Sequence, residues 1–122
     1  MTTVQNNPRI LAANALLNKT LKNSEGEEVG EIKDVAFDVE SNHVSYVVVE
    51  FGGFMGMGKK WFAIPPRAVV PSNTEADVLC LNVDKKVLKE ATGFDKDEWP
   101  DTADYQWLSE VYKHYGYDPY WS

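Results

Sequence analysis

The sequence predicts a mainly β fold: a small antiparallel barrel or sandwich of five or six short strands, then a short helix and a C-terminal amphipathic helix rich in aromatic residues. Three observations predict it. Several runs alternate apolar and polar residues between Gly, Pro and Asn turn signals. The spacing of apolar residues becomes helical from Asp84 onward. The chain has 122 residues, 43% of them hydrophobic, which suffices for one self-supporting domain.

The N-terminal part is predicted to be a leader followed by a first hairpin. Residues 1–16 are the leader, because the first seven residues are polar and without pattern. Residues 8–17 favour a short helical turn that packs through Ile10 and Leu17. The Ser-Glu-Gly-Glu cluster at 24–27 is typical of a turn between two strands.

The strand after this turn, within residues 29–40, alternates apolar with polar side chains. A period of two predicts one buried face, formed by Val35, Phe37 and Val39. Ile32 falls out of step with that face, which predicts a β-bulge near Lys33.

The next strand, residues 44–51, is a β-branched and aromatic run too continuous for a solvated face, which predicts a central strand. A glycine-rich loop follows at 52–58. The remaining strands are predicted at 60–65, 68–70 and 78–83. Pro66 and Pro71 end the first two of them, because proline lacks the N–H that a strand needs.

Two helices are predicted after the strands. The first begins after Asp84 as N-cap and ends at Gly93. Its apolar stripe is Val87, Leu88 and Ala91. The second spans 103–115, with Thr102 as N-cap and Gly116 as its end. Its apolar face is Trp107, Leu108, Val111, Tyr112 and Tyr115.

Residues 17–94 are therefore predicted to form the β domain and residues 95–122 a C-terminal extension. Eight of the fifteen aromatic residues lie between Trp99 and Ser122. A segment so apolar is not a free linker, and it covers either the β domain or a partner subunit.

Charge and cysteine content exclude several classes of protein. The net charge is -7, which repels nucleic-acid phosphates and anionic lipid, so no nucleic-acid partner is expected. The single cysteine, Cys80, forms no intrachain disulfide. Residues 1–9 lack the pattern of a secretory signal, and no apolar run reaches the length of a membrane span. A cytoplasmic protein without a membrane span is expected.

The segment 53–60, GFMGMGKK, matches the first seven positions of a phosphate-binding Walker A loop. Lys60 stands where a hydroxyl would hold magnesium, and residues 61–66 end in two prolines and form no helix, so nucleotide binding is not expected. The apolar tip of this glycine-rich loop either contacts a partner or folds back to plug a barrel end. It consists of Phe54, Met55 and Met57.

Two polar sets remain as candidates for chemistry. Cys80 with His43 or His114 could form a nucleophile set, but a cysteine within an apolar strand is typical of inert filler, and the histidines lack ligand spacing for zinc. Asp34 and Asp38 share a strand face that Glu50 could join. These three carboxylates are either a metal or acid–base site or a solvated strand face. No cofactor and no metal are expected.

Residues 17–83 resemble the PRC-barrel family, a module that takes its name from the cytoplasmic part of the photosynthetic reaction centre and is shared with a ribosome-maturation factor. The resemblance is in GEEVGEIKDV at 26–35, YVVVEF at 46–51, the loop GGFMGMG at 52–58, and Lys60 with FAIP at 62–65. The tail from Trp99 to Trp121 resembles the C-terminal extension of small stand-alone bacterial members.

The resemblance implies a small β-barrel that acts as an assembly or adaptor surface, and the family has no shared catalytic residues to carry over. We therefore expect a non-enzymatic protein that forms a homodimer and binds an unknown protein partner. The candidate contact residues are Phe54, Met55, Met57, Trp107, Tyr112 and Tyr115.

Two other functions stay open. One is a small-molecule or metal-binding enzyme that uses the face of Asp34, Asp38 and Glu50. The other is an RNA- or ribosome-associated factor, which needs a basic patch. Its adjacent basic residues would be the pairs at 59–60 and 85–86.

Overall fold

Six strands of the described chain form one sheet, and three short α-helices lie around it. The structure is a computed structural model that describes residues 10–51, 60–72, 78–90 and 104–121. The strands are β1 Thr20–Lys22, β2 Glu28–Asp38, β3 His43–Phe51, β4 Lys60–Ile64, β5 Val69–Pro71 and β6 Leu79–Leu81. The helices are α1 Ala13–Leu16, α2 Lys85–Lys89 and α3 Tyr105–Tyr115. The predicted mainly β fold with a C-terminal aromatic helix is confirmed.

The strand order is β4-β3-β2-β1-β6-β5. Neighbouring strands are antiparallel except for β1 and β6, which pair in parallel through Leu21 with Leu79 and Lys22 with Cys80. The parallel pair departs from the expected hairpin order. It arises because β5 and β6 form a hairpin of their own that attaches beside β1.

The sheet curls because its two edge strands are joined by a short connection. Residues 65–68 link β4 to β5 and include a 3-10 turn at Pro66–Ala68. In a flat six-stranded sheet the edge strands would lie about 24 Å apart. A connection of this length reaches at most about 18 Å even when extended. The edges must therefore approach each other, and the sheet forms a half-barrel.

The β2–β3 pairing contains two register shifts. The first lies at Lys33 and confirms the predicted bulge. The second follows Ala36 and changes which side of the sheet the next residues face. Val35 is half-buried against the core, but Phe37 is 56% and Val39 is 79% exposed. The prediction that these two side chains point inward is wrong, because alternation does not continue across the second shift.

Two apolar clusters pack on opposite faces of the curled sheet. The inner cluster comprises Leu21, Val29, Ile32, Val47, Val49, Phe51, Phe62, Ile64, Ala68, Leu81 and Leu88. The outer cluster comprises Tyr46, Val48, Ala63, Leu108 and Tyr112. Successive residues of β3 alternate between the clusters, so this strand is buried on both faces from 46 to 49. It also has a strand on each side, which confirms the predicted central strand.

Helix α3 begins later than predicted and with a different cap. Asp104 is the N-cap, because its Oδ1 accepts a hydrogen bond from the Trp107 N–H at 2.8 Å. The predicted cap, Thr102, lies outside the described residues. Gly116 ends the helix as predicted, with a φ of 81° in the left-handed region.

The N-terminal contacts also differ from the expectation. Ile10 is 91% and Leu17 is 36% exposed, so the predicted packing through these two residues is wrong. Leu16 at the end of α1 packs on the inner cluster instead. In α2, Leu88 is fully buried as predicted. The rest of that predicted helix, with Ala91 and Gly93, lies outside the described residues.

Candidate functional site

The end of the β2–β3 hairpin extends past the neighbouring strands. β1 pairs with β2 at 28–31, and β4 pairs with β3 from Val47 onward. We call residues 36–45 the hairpin end. Among the described strands only β2 and β3 contribute to it, so it is positioned by α3 and by the C-terminal residues instead of by a neighbouring strand. Its turn includes Asn42 at a φ of 63°, a conformation that asparagine tolerates.

Four exposed apolar side chains lie at the hairpin end and at the start of α3. The exposed fractions are 56% for Phe37, 79% for Val39, 39% for Val44 and 38% for Tyr105. Phe37 and Val44 lie opposite each other in the β2–β3 pairing. We call these four residues the hairpin patch. Large apolar side chains grouped at a surface are typical of contact sites, whereas singly scattered ones are ordinary.

A groove of about 500 Å³ opens between the hairpin end and α3. Buried Tyr46 and Leu108 form its floor, and three members of the hairpin patch line it. These are Phe37, Val39 and Tyr105. The volume lies within the range of ordinary ligand pockets, so the groove can accept one or two bulky apolar groups.

The groove is acidic. Among the described residues that line it, three are carboxylates and none is basic. The carboxylates are Asp38, Glu40 and Asp104. Glu40 and Asp104 are exposed, and Asp38 is half-buried. An apolar surface lined by charges of one sign selects for partners of the opposite sign.

Asp38 connects the hairpin end to α3 and to the C-terminal residues. Its Oδ2 accepts hydrogen bonds from the hydroxyls of Tyr105 at 2.7 Å and Tyr120 at 2.6 Å. Its Oδ1 accepts from the backbone N–H groups of Glu40 at 3.0 Å and Ser41 at 3.3 Å. The bonds from Tyr120 and Tyr105 hold the pKa of Asp38 well below its usual range, and the bond to Asp38 raises the pKa of Tyr105 to about 12. Asp38 is therefore ionised at neutral pH, and its bonds are charge-assisted.

The C-terminal aromatic residues cover the outer face of the sheet. The Tyr112 hydroxyl donates to the Ser45 carbonyl oxygen at 2.8 Å. Trp121 stacks on Tyr105 with ring centroids 5.1 Å apart and meets Tyr112 edge-on at 5.2 Å. The Tyr120 ring lies 5.0 Å from the ring of His43. These contacts fold the aromatic tail onto its own chain.

The predicted contact residues of α3 take different positions. Tyr112 is 2% exposed and belongs to the outer cluster, so it cannot reach a partner while the helix is docked. Trp107 is half-buried and meets Tyr46 edge-on at 5.3 Å. Tyr115 is half-buried against the inner cluster. The predicted loop contacts Phe54, Met55 and Met57 lie outside the described residues.

The three carboxylates of the enzyme hypothesis each have separate partners. Asp34 Oδ1 accepts from the N–H of the next residue at 2.8 Å, and Asp38 binds the two tyrosines. Glu50 Oε2 accepts from the Trp61 indole N–H at 3.2 Å, and its Oε1 lies 4.0 Å from Lys33 Nζ. Within residues 10–51, 60–72, 78–90 and 104–121, no group of three His, Cys, Asp or Glu side chains is placed to hold a metal ion.

The cysteine and the two histidines lie on different elements with different neighbours. Cys80 is half-buried on β6. His43 begins β3, where its ring packs beside Tyr120. His114 on α3 has its Nε2 3.0 Å from the carbonyl oxygen of Val87 in α2. The structure gives these residues packing and hydrogen-bonding roles.

The comparison with protein families identifies the fold. A model of the PRC-barrel domain matches residues 8–88. This protein belongs to the PRC-barrel family. The match includes all six strands of the PRC barrel, and α3 lies beyond it. No curated protein matches the chain. In the described part of this PRC-barrel protein, every helix is too short or too polar to cross a lipid bilayer.

Asp38→Asn is expected to weaken the attachment of the hairpin end at neutral pH and to flatten the dependence of stability on acid. Because the folded pKa of Asp38 lies below its unfolded value, its stabilising effect is present above about pH 4 and is lost as the pH falls further. Urea unfolding at neutral pH and at successively lower pH measures both effects.

Asp34→Asn is the matched control for this prediction, because Asp34 lies on the same strand and accepts only a local backbone bond among those described above. It should retain the acid dependence of the parent protein. An Asp38→Asn variant with unchanged stability at pH 7 and an unchanged pH profile would contradict the role assigned to Asp38.

Sequence reasoning missed the hairpin patch and the Asp38 contacts. Alternation places Phe37 and Val39 in the core, and their position beside the turn at 41–43 is the signal that could have placed them at an exposed hairpin end. Tyr105 and Tyr120 are 67 and 82 residues from Asp38 along the chain. No local pattern predicts bonds at that separation.

Proposed function

We propose that this PRC-barrel protein is a non-catalytic protein-binding module that contacts its partner through the hairpin patch. The supporting observation is that Phe37, Val39, Val44 and Tyr105 are exposed at one end of the barrel along a groove. Protein interfaces combine an apolar centre with a polar rim, and the hairpin patch with its neighbouring carboxylates has this composition.

The attachment of the hairpin end favours the same function. The bonds of Asp38 to Tyr105 and Tyr120 fix the hairpin end against α3 before any partner arrives. A surface that is already ordered loses less conformational entropy on binding. The aromatic tail does not compete for this role, because Tyr112 and Trp121 pack within the chain.

No observation favours the other functions. The carboxylates at 34, 38 and 50 have separate partners, as described above. Of the lysines in the RNA hypothesis, Lys60 lies on β4 and Lys86 on α2, and Lys59 lies outside the described residues. Homodimer formation and contacts through the loop at 54–57 stay predictions, the first checked by light scattering.

The double variant Phe37→Ser with Val39→Ser is expected to reduce capture of specific companions from native lysate about tenfold, because truncation of central apolar contacts commonly costs more than 1 kcal/mol. Quantitative mass spectrometry of proteins retained on the immobilised chain measures the reduction. Both side chains are exposed, so circular dichroism and the unfolding midpoint should change little.

Val70→Ser is the matched control, since Val70 is 36% exposed on β5 at an edge of the sheet and lies outside the groove lining. It should leave capture unchanged. Equal retention by the parent protein and the double variant would overturn the proposed contact surface.

A further inference from the structure

The charges around the groove narrow the kind of partner that the hairpin patch can bind. Glu40 and Asp104 are exposed at the groove, and Asp38 lies between them and the barrel with its negative charge retained. A partner that covers the apolar residues must place its own groups beside these carboxylates. Groups of positive charge gain attraction there, and groups of negative charge are repelled.

The same charges disfavour a second copy of this chain as the occupant. A two-fold contact through the hairpin patch would bring two sets of Asp38, Glu40 and Asp104 together. Both copies would also carry a net charge of -7. Like charges set opposite each other cost free energy, and among the described lining residues no basic side chain offsets them.

The shape of the groove indicates a peptide segment. Its volume of about 500 Å³ accommodates bulky side chains, and its floor of Tyr46 and Leu108 is apolar apart from the tyrosine hydroxyl. The carboxylates of Glu40 and Asp104 belong to different elements, the hairpin turn and the N-cap of α3. A segment that lies along the groove meets apolar contacts and both elements at once.

We infer that the groove between the hairpin end and α3 binds a cationic, apolar peptide segment of a partner protein, in which lysine or arginine lies next to a bulky apolar side chain. This inference rests on the proposed function and specifies its partner. The apolar side chain occupies the groove beside Phe37 and Val39, and the cationic groups lie against Glu40 and Asp104.

The test uses three fluorescein-labelled ten-residue peptides and the full chain. The first contains lysines with phenylalanine and leucine, the second replaces the lysines by glutamates, and the third replaces the apolar residues by serines. Fluorescence anisotropy should show the first peptide binding at least about tenfold more tightly than either of the others. Raising the salt from about 50 to 200 mM should weaken its binding, because salt screens exposed charges.

Two charge variants locate the effect. Glu40→Gln with Asp104→Asn removes two carboxylates and keeps an asparagine that can still cap α3. It should weaken binding of the lysine peptide about fivefold. Glu25→Gln with Glu90→Gln removes the same net charge from exposed positions outside the groove lining and should change binding less than about twofold.

Equal affinity for the lysine and glutamate peptides, no binding of any peptide, or equal weakening by both charge variants would overturn the inference. A dimer that dissociates on Phe37→Ser would also overturn it, because a second copy would then fill the groove. These failures are distinguishable from failure of the proposed function. Companions lost on Phe37→Ser with Val39→Ser but retained by the charge variants would keep the contact surface and reject its cationic ligand.

Discussion

Replacing Tyr112 by alanine is expected to lower the free energy of unfolding by about 3 to 5 kcal/mol. The side chain is 2% exposed, contacts Trp121 edge-on and donates a hydrogen bond to the Ser45 carbonyl oxygen. Its removal leaves a cavity between α3 and the sheet and an unpaired carbonyl. Small domains are stable by only about 5 to 15 kcal/mol, so a loss of this size is readily measured by urea unfolding.

Two further variants separate the causes of this loss. Tyr112→Phe keeps the ring and removes the hydroxyl, so we expect a loss of about 1 kcal/mol. Glu110→Ala changes an exposed position of the same helix and should stay within about 0.5 kcal/mol of the parent. If Tyr112→Ala unfolds at the parent's urea concentration with its helical signal intact, α3 is not docked on the sheet in solution. Its aromatic face would then be free for a partner.

Gly30→Ala is expected to destabilise the barrel by about 1 to 3 kcal/mol, although it adds a single methyl group. An added Cβ would overlap the Glu50 carbonyl oxygen and lie 3.0 Å from the Phe51 ring. Gly30 pairs with Phe51 across β2 and β3, and Phe51 packs on Phe62 with ring centroids 4.8 Å apart. Backbone and two packed rings leave little room for adjustment. Thermal and urea unfolding measure the effect.

Gly26→Asn is the control for this substitution. Gly26 also lies in the β1–β2 region, but its φ is 82° and a Cβ there meets nothing within 4 Å. Asparagine tolerates this conformation, so the cost should stay below that of Gly30→Ala. A stable Gly30→Ala variant would mean that β2 and β3 separate locally without loss of the core.

The sequence predicts those parts of the fold that are set by local patterns. Alternation and turn residues locate β2, β3 and the bulge at Lys33, and Gly116 predicts the end of α3. The parallel pairing of β1 with β6 and the two-sided burial of the sheet depend on contacts between distant segments. Periodicity cannot show which strand lies beside which, so these features required the structure.

The candidate site is less predictable, for a physical reason. Phe37 and Val39 have the composition of core residues, and only the register shift after Ala36 and the position of the hairpin end beyond the neighbouring described strands expose them. Asp38 is a notable carboxylate already in the sequence. Its use as an acceptor for Tyr105 and Tyr120 depends on long-range packing that residue types alone do not encode.

The parallel contact of Leu21 with Leu79 has a consequence for the order in which the barrel assembles. During synthesis, β2, β3 and β4 emerge one after another and each pairs with its predecessor, so this meander can form early. The second edge of β1 finds its partner only when the chain has grown through β6. Because ring closure over a long segment is entropically slow, joining β1 to β6 is the late kinetic step that completes the native topology.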